Sequence, residues 1–483
     1  MIKKTVQIIL LAVPILIALV LMGTKLVFLN EEVVKLHVPV WQIALILLIT
    51  LFLIGGLGYL LFKLYNRRKS AFYITLGLLI IVPRLIWVLS FPIEPTSDFY
   101  LYHIIASYRA DQNSWSTLFQ QNILNYAPFF THILYFSTVL SWVYSFTGNV
   151  VIAGQIFNIL LTLIGAVLLF KACKTLFKLP VAVMATLIFV LWPSYLMYST
   201  LIGSEPLFMA LLALSMYLWT KLEARNPSMF LSIVLGLTLV LMNLIRPLAA
   251  VILIAFILCS LITKWEWRSF WRKYVPVVLV FGILVLAGGW INKIIYPFET
   301  AANFTGYSMY IGANEKTTGQ WSQEDMTYFW SLYHANPDKL SNINKDMQQK
   351  AIDRLQNITK EGKLLPFETK KMKIYADENY GYEWNVYNNA PTIYHYSDIL
   401  LAVSNVVAAL MILLGFIGLI LAIIRGKMKQ IYLFALMEVG FTLSALLVEV
   451  QGRYHIPLIF IYSILAAYTL YSIIEITLKR ISH

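Results

Sequence analysis

Long apolar runs separated by short basic stretches organise this chain of 483 residues. Runs long enough to cross roughly 30 Å of hydrocarbon fall at 5–29, 41–63, 71–92, 150–170, 181–198, 206–219, 229–245, 248–263, 275–296, 400–424, 431–448 and 457–476. In lipid a backbone must satisfy its own hydrogen bonds, so such runs predict helices. The expected fold is an all-α polytopic membrane protein with about twelve transmembrane helices. The first run follows Met1-Ile2-Lys3-Lys4 and resembles a signal sequence. Its length and its lack of a small-residue cleavage site mark it instead as an uncleaved first span.

A thirteenth apolar stretch, 129–146, is rich in Tyr, Trp, Ser and Thr, which suits an interfacial helix lying along the membrane. A span there would also put the basic clusters from Lys171 to Lys273 on the opposite side from the others.

Composition agrees with the pattern. Hydrophobic residues make up 59% and charged residues 13% of the chain, and the mean hydropathy is +0.73. So little charge cannot cover soluble cores of this size. The net charge of +13 sits in short clusters between the runs: Arg67-Arg68-Lys69, Lys171 to Lys178, Lys221/Arg225, Lys264 to Lys273, Arg425 to Lys429 and Lys479-Arg480. That is the positive-inside signature of cytoplasmic loops, not a nucleic-acid groove. Both termini are then expected in the cytoplasm of a multi-pass cell-membrane protein. Cys173 and Cys259, each near a lysine cluster, are not expected to pair.

Two large outer segments remain, 93–149 and 297–398. The first carries one Arg against Glu94, Asp98 and Asp111, and the second ten Lys and Arg against thirteen Asp and Glu. Acidic outer segments on a basic chain support the same sidedness, and the inner loops are too short for chemistry. In the second segment Asn336-Pro337-Asp338 reads as a helix start. Ile343, Met347, Ile352 and Leu355 then follow near helical spacing. The expected organisation is 1–70 for two N-terminal helices, 71–296 for a core with its outer loop 93–149, 297–399 for a small, mainly helical extracytoplasmic domain, and 400–483 for three C-terminal helices.

Candidate chemistry gathers at the outer face. Asp98, just past the third run, reads either as a partly desolvated base or, with Ser97, as the cap of the helix that follows. Glu205 in Gly203-Ser204-Glu205-Pro206 reads either as a first-turn helix residue or as a second acid at the same depth. Arg246-Pro247 and Arg453-Tyr454-His455 place cations on the outer side, against the general trend. Snorkelling accounts for one such arginine; two suggest an anionic headgroup, because guanidinium binds phosphate bidentately. Arg84 falls within the third run, either buried and partnered or at its outer end. No Walker motif, HExxH or CxxC pair occurs. An outward site has no nucleotide sugar available, so an activated substrate would arrive through the membrane as a lipid phosphate.

The pattern from about Ala71 onward resembles the GT-C superfamily of membrane glycosyltransferases. It lies near glycosyltransferase family 39, the protein mannosyltransferase-like group, and the bacterial aminoarabinose-transferase-like group. The residues that carry the resemblance are Ser97-Asp98-Phe99-Tyr100, Tyr126-Ala127-Pro128, Glu205-Pro206, Arg246-Pro247, Gly312-Ala313-Asn314 to Gly319-Gln320-Trp321, and Arg453-Tyr454-His455-Ile456-Pro457. The resemblance implies a polyprenyl-phosphate sugar donor, an envelope glycan, lipid or protein acceptor, and inversion at the anomeric carbon. It implies Asp98 as base, with Glu205 orienting the acceptor or holding a divalent cation. Arg246, Arg453, His455 and Tyr100 would then contact substrate. Two departures stand out: the extra runs before residue 71, and a single Asp followed by Phe where protein mannosyltransferases have paired Asp-Glu. A transporter or flippase of lipid-linked sugars, a non-catalytic scaffold, and a polysaccharide polymerase or ligase are the alternatives, with Glu438 the main intramembrane acid for the first of these.

Overall fold

A computed structural model describes residues 2–481 except 225–227, 265, 337–338 and 387–392, so Arg225, Pro337 and Asp338 lie outside the described residues. The chain is 82% helical, with no strand among the described residues. In order, α1 is Ile2–Lys35, α2 Val40–Arg67, α3 Lys69–Ser90, α4 Ser97–Ala110, α5 Trp115–Gln120, α6 Thr131–Thr147, α7 Val151–Leu176, α8 Leu179–Val190, α9 Pro193–Tyr198, α10 Glu205–Ala224, α11 Met229–Ile245, α12 Ala249–Lys264 and α13 Trp267–Ile295. A cap of short helices follows: α14 Thr305–Gly312, α15 Gln323–Ala335, α16 Leu340–Lys360, α17 Leu364–Ala376 and α18 Tyr380–Val386. The chain ends with α19 Ser397–Ile424, α20 Met428–Leu446, a 3-10 turn Gly452–His455, and α21 Leu458–Ile481.

All twelve apolar runs are helical. Among the described residues eight helices are long and apolar enough to cross a membrane: α1, α2, α3, α7, α10, α13, α19 and α21. The other runs are the shorter α11 and α12, α20, and a run that breaks. That run, 181–198, ends as α8 at Val190 and restarts as α9 at Pro193, because a residue before proline is disfavoured in the helical region. Arg84 of α3 supports the break. Its Nη2 donates to the Val190 carbonyl at 3.2 Å and its Nε to Ser199 Oγ at 2.8 Å. Arg84 is thus fully buried and satisfied by a carbonyl and a hydroxyl.

α6 packs Leu134, Phe136, Leu140 and Tyr144 inward beside α4, α7 and α11, and leaves Trp142 and Phe146 exposed. α1 lies against α19 and α20 rather than outside the bundle. Lys25 on α1, buried, bonds Glu438 Oε1 of α20 at 2.6 Å, Thr442 Oγ1 at 2.8 Å and Tyr462 OH at 2.9 Å. The basic clusters meet at one end of the bundle. Lys178 pairs with Glu475 at 2.8 Å, Lys264 with Glu223 at 2.9 Å, and Lys429 donates to the Thr263 carbonyl at 2.8 Å. α10 runs from Glu205 to this end, a rise of about 27 Å over its 18 steps to Glu223. Cys173 and Cys259 are free and buried.

The cap has its own apolar core, in which Tyr307, Phe329, Ile343, Met347 and Ala351 pack with Phe129 from the 93–149 segment. Ile343 and Met347 thus do face inward, but Asn336 does not start a helix: it closes α15, its N–H donating to the Leu332 carbonyl, and α16 begins at Leu340. Lys371 fastens the cap to the bundle, donating to the carbonyls of Gly312 at 2.9 Å, Leu446 at 2.5 Å and Val448 at 2.9 Å. Gly312 lies so close that a Cβ there would stand 2.2 Å from the Val448 carbonyl carbon. The Gly312–Gly319 stretch therefore positions the 446–450 segment, where Val450 N donates to Gly319 O at 2.9 Å and Glu449 N to Ser308 O at 2.7 Å.

Candidate active site

Between the cap and the helix ends lies a cavity of about 780 Å³, lined by Asp98, Glu205, Arg246 and Arg453. Four of the sequence-predicted residues thus share one chamber, although they come from α4, α10, the α11–α12 turn and the 3-10 turn.

Asp98 sits in the first turn of α4, where a carboxylate complements the helix dipole. It is not the cap, a position that belongs to Thr96. Its Oδ1 accepts from the Tyr126 hydroxyl at 2.9 Å, and its Oδ2 accepts from Arg453 Nη2 at 3.4 Å. Tyr126 comes from the Tyr126-Ala127-Pro128 segment, where burial and then the Asp98 carboxylate push its phenol upward and keep it a donor. Arg453 also donates from Nε to Gln451 Oε1 at 2.7 Å, and its guanidinium lies 4.9 Å from the Trp384 ring.

Glu205 opens α10 and is buried. The turn before it is held by Asn158 of α7, whose amide donates to the carbonyl of Gly203 at 2.9 Å. A side chain at Gly203 would meet Glu205 Oε2 at 2.7 Å, so glycine leaves the carboxylate its room. Tyr198 donates to Glu205 Oε1 at 2.5 Å and Arg246 Nη2 pairs with the same oxygen. Glu205 Oε2 and Arg246 Nε are buried and unbonded. Buried polar atoms without partners are costly, and here they flank a cavity able to receive a polar ligand. As a cation ligand Glu205 would offer only Oε2. Among the described residues no three His, Cys, Asp or Glu side chains gather as a metal site would.

Tyr100 and His455 stand apart. Tyr100 is 52% exposed and does not line the cavity. His455 is buried behind it, Nδ1 donating to the Tyr375 carbonyl at 2.6 Å and Nε2 meeting Glu378 Oε1 at 3.0 Å. Its partners make it a pin between the 3-10 turn and the cap.

Two cavity residues carry no sequence signal of their own. His132 opens to the cavity in the first turn of α6, 5.1 Å from the Phe304 ring, with Nδ1 buried and unbonded. Burial, then Arg246, pushes its imidazole down to about 4, so it is neutral at physiological pH. Glu449, in the turn after α20, is held by Gln451 at 2.8 Å, and burial raises its carboxyl above the ordinary range.

Residues 114–291 match the family described as dolichyl-phosphate-mannose-protein mannosyltransferase. The chain is similar to a membrane glycosyltransferase of the GT-C type. The matched stretch contains Tyr126, His132, Glu205 and Arg246, and stops short of Asp98 on one side and Arg453 on the other. No curated protein matches the chain.

Proposed function

We propose that this membrane protein transfers a sugar from a polyprenyl-phosphate-linked donor to an acceptor hydroxyl, with inversion, on the outer face of the cytoplasmic membrane. Asp98 is the base. The observation that carries this reading is the pairing of two cavity carboxylates with arginines, Asp98 with Arg453 and Glu205 with Arg246, beside an apolar flank of Phe208, Val251, Phe441 and Ile456. Guanidinium matches a phosphate and the apolar side suits isoprene units next to it.

In this mechanism the acceptor oxygen attacks the anomeric carbon as the bond from that carbon to the phosphate oxygen breaks. The acceptor proton passes to Asp98, and the polyprenyl phosphate leaves with its charge on the arginines, so no acid is required at the leaving group. The 3.4 Å contact between Asp98 and Arg453 is long for a charge-assisted bond. A bound phosphate draws Arg453 toward itself and leaves Asp98 Oδ2 free to accept from the acceptor hydroxyl. Donor binding therefore precedes activation of the acceptor. Glu205 keeps Arg246 oriented, the 297–399 segment closes the chamber, and the arrangement of basic clusters supports cytoplasmic termini. A transporter reading gains nothing from Glu438, which Lys25 already neutralises.

Asp98→Asn tests the proposal. It keeps size and first-turn position but takes no proton, and loss of a general base costs roughly 10²–10⁴-fold. The variant is expected to insert and to bind donor while transferring sugar at least about a hundredfold more slowly. Near-normal transfer would remove Asp98 as base.

A further inference from the structure

A second cleft of about 410 Å³ opens between the 119–125 segment and α15, outside the reaction chamber. Its volume falls within the roughly 300–1,000 Å³ of small-molecule sites. One wall is aromatic: Trp330 stacks on His334 with centroids 5.2 Å apart and planes at 16°, and Tyr333 stands edge-on to Trp330 at 5.4 Å. The facing wall carries Asn122, Asn125 and Glu299, and the side chains of these three have no hydrogen-bond or ion-pair partner among the described residues. Asn122 and Asn125 both hold positive φ, +56° and +50°, a region asparagine tolerates better than most residues. The two amides are thus presented by the turn rather than used to build it. No lysine or arginine lines the cleft.

Each feature narrows the ligand. Aromatic faces beside unbonded amides and a carboxylate match a pyranose, whose ring C–H groups form an apolar face and whose hydroxyls form a polar edge. The lack of cations sets this cleft against the arginine-bearing chamber and argues against an anionic ligand. Tyr126 connects the two spaces: its hydroxyl bonds Asp98 in the chamber while its ring lies 6.2 Å from Trp330 in the cleft. Tyr333 OH also donates to the Asn125 carbonyl at 3.2 Å, tying α15 to the turn.

We infer that this cleft is a subsite for a neutral glycan, holding the acceptor chain some distance from the hydroxyl that reacts at Asp98. The inference rests on the glycosyltransferase reading for the word acceptor, but glycan binding itself needs no turnover.

The test uses the full chain in lipid nanodiscs. The probe is the neutral glycan fraction released from envelopes of cells lacking the protein, labelled at the reducing end and followed by fluorescence anisotropy. The wild type is expected to bind, and Asn122→Ala, Glu299→Gln and His334→Ala each to weaken binding at least fivefold. Trp330→Ala is expected to weaken it further and Trp330→Phe to restore much of it. The three other variants keep the test decisive if Trp330→Ala fails to fold. Absence of wild-type binding, or variants that bind as the wild type does, overturns the subsite. So does displacement of the glycan by protease-released envelope peptides, which would make the cleft a peptide site. Glycan binding here with no transfer from any lipid-linked sugar would instead sink the transferase reading and leave the subsite standing.

Discussion

Arg453 and Asp98 face each other at 3.4 Å across 355 positions of sequence, one in the turn before the last helix and the other in the first turn of α4. Neither residue has a second ion-pair partner among the described residues, and the contact joins the start of α4 to the turn before the last helix at the point where chemistry is proposed. In the proposed reaction the arginine would serve two anions in turn, the carboxylate at rest and the donor phosphate when it arrives.

That dual role makes Arg453→Lys informative. A single ammonium keeps the charge but loses the planar pair of donors. Donor KM is expected to rise, or kcat/KM for donor to fall, by roughly tenfold or more. Acceptor KM should move little. Unchanged kinetics would return this residue to a packing role beneath Trp384.

His132 offers a prediction in pH. Its folded value, about 4, lies below the ordinary 6.5, so between these limits the unfolded chain binds a proton that the folded chain does not. Stability from this group is complete above about pH 6.5 and is lost as pH falls toward 4. The full shift corresponds to about 3 kcal/mol. Arg246, Arg453, Asp98 and Glu205 all face this ring, so the comparison must isolate it. His132→Gln should flatten the fall in Tm between pH 6.5 and 4 relative to wild type, and parallel curves would show that the imidazole is not held neutral.

Topology is open to labelling. If α6 lies flat on the outer face, a cysteine at Asn149 should react with an impermeant reagent from outside, and one at Lys171 only after the membrane is opened. Both native cysteines are buried and should stay silent. Outside labelling at Lys171 would overturn the twelve-span arrangement.

Much of this was written in the chain because lipid leaves the backbone few choices: the apolar runs are helical, one of them as two helices, and Asp98, Glu205, Arg246 and Arg453, read from the sequence as one face, share one chamber. Tyr100 and His455 fall outside the chamber because nearness in sequence is not nearness in space. Two residues on in a helix a side chain points to nearly the opposite face, so Tyr100 turns away as Asp98 turns in. His455 likewise faces the cap while Arg453 faces the chamber. The break at residues 191–192 was read through as one run, although the residue before Pro193 is where a helix is disfavoured. His132 was not visible, since a lone histidine in an aromatic segment gains its meaning only when Arg246 is folded against it.

Lys25 is the residue least legible in sequence, a single charge inside an apolar run, and it gives the sharpest test of the packing. Its ammonium is fully buried and bonds Glu438, Thr442 and Tyr462, so α1 is bound to α20 and α21 by a charge pair out of reach of water. Breaking such a pair from one side strands the other charge and costs about 3–5 kcal/mol, whereas replacing both by apolar groups of similar volume is often near neutral. Lys25→Met alone should therefore lower Tm sharply and loosen α1, read as faster proteolysis between α1 and α2. Lys25→Met with Glu438→Leu should recover most of the loss. If the double variant is as unstable as the single one, the pair acts through its bonds to Thr442 and Tyr462 rather than through its charges. If Lys25→Met is as stable as wild type, α1 is held by its apolar face alone and the buried pair contributes nothing to its docking.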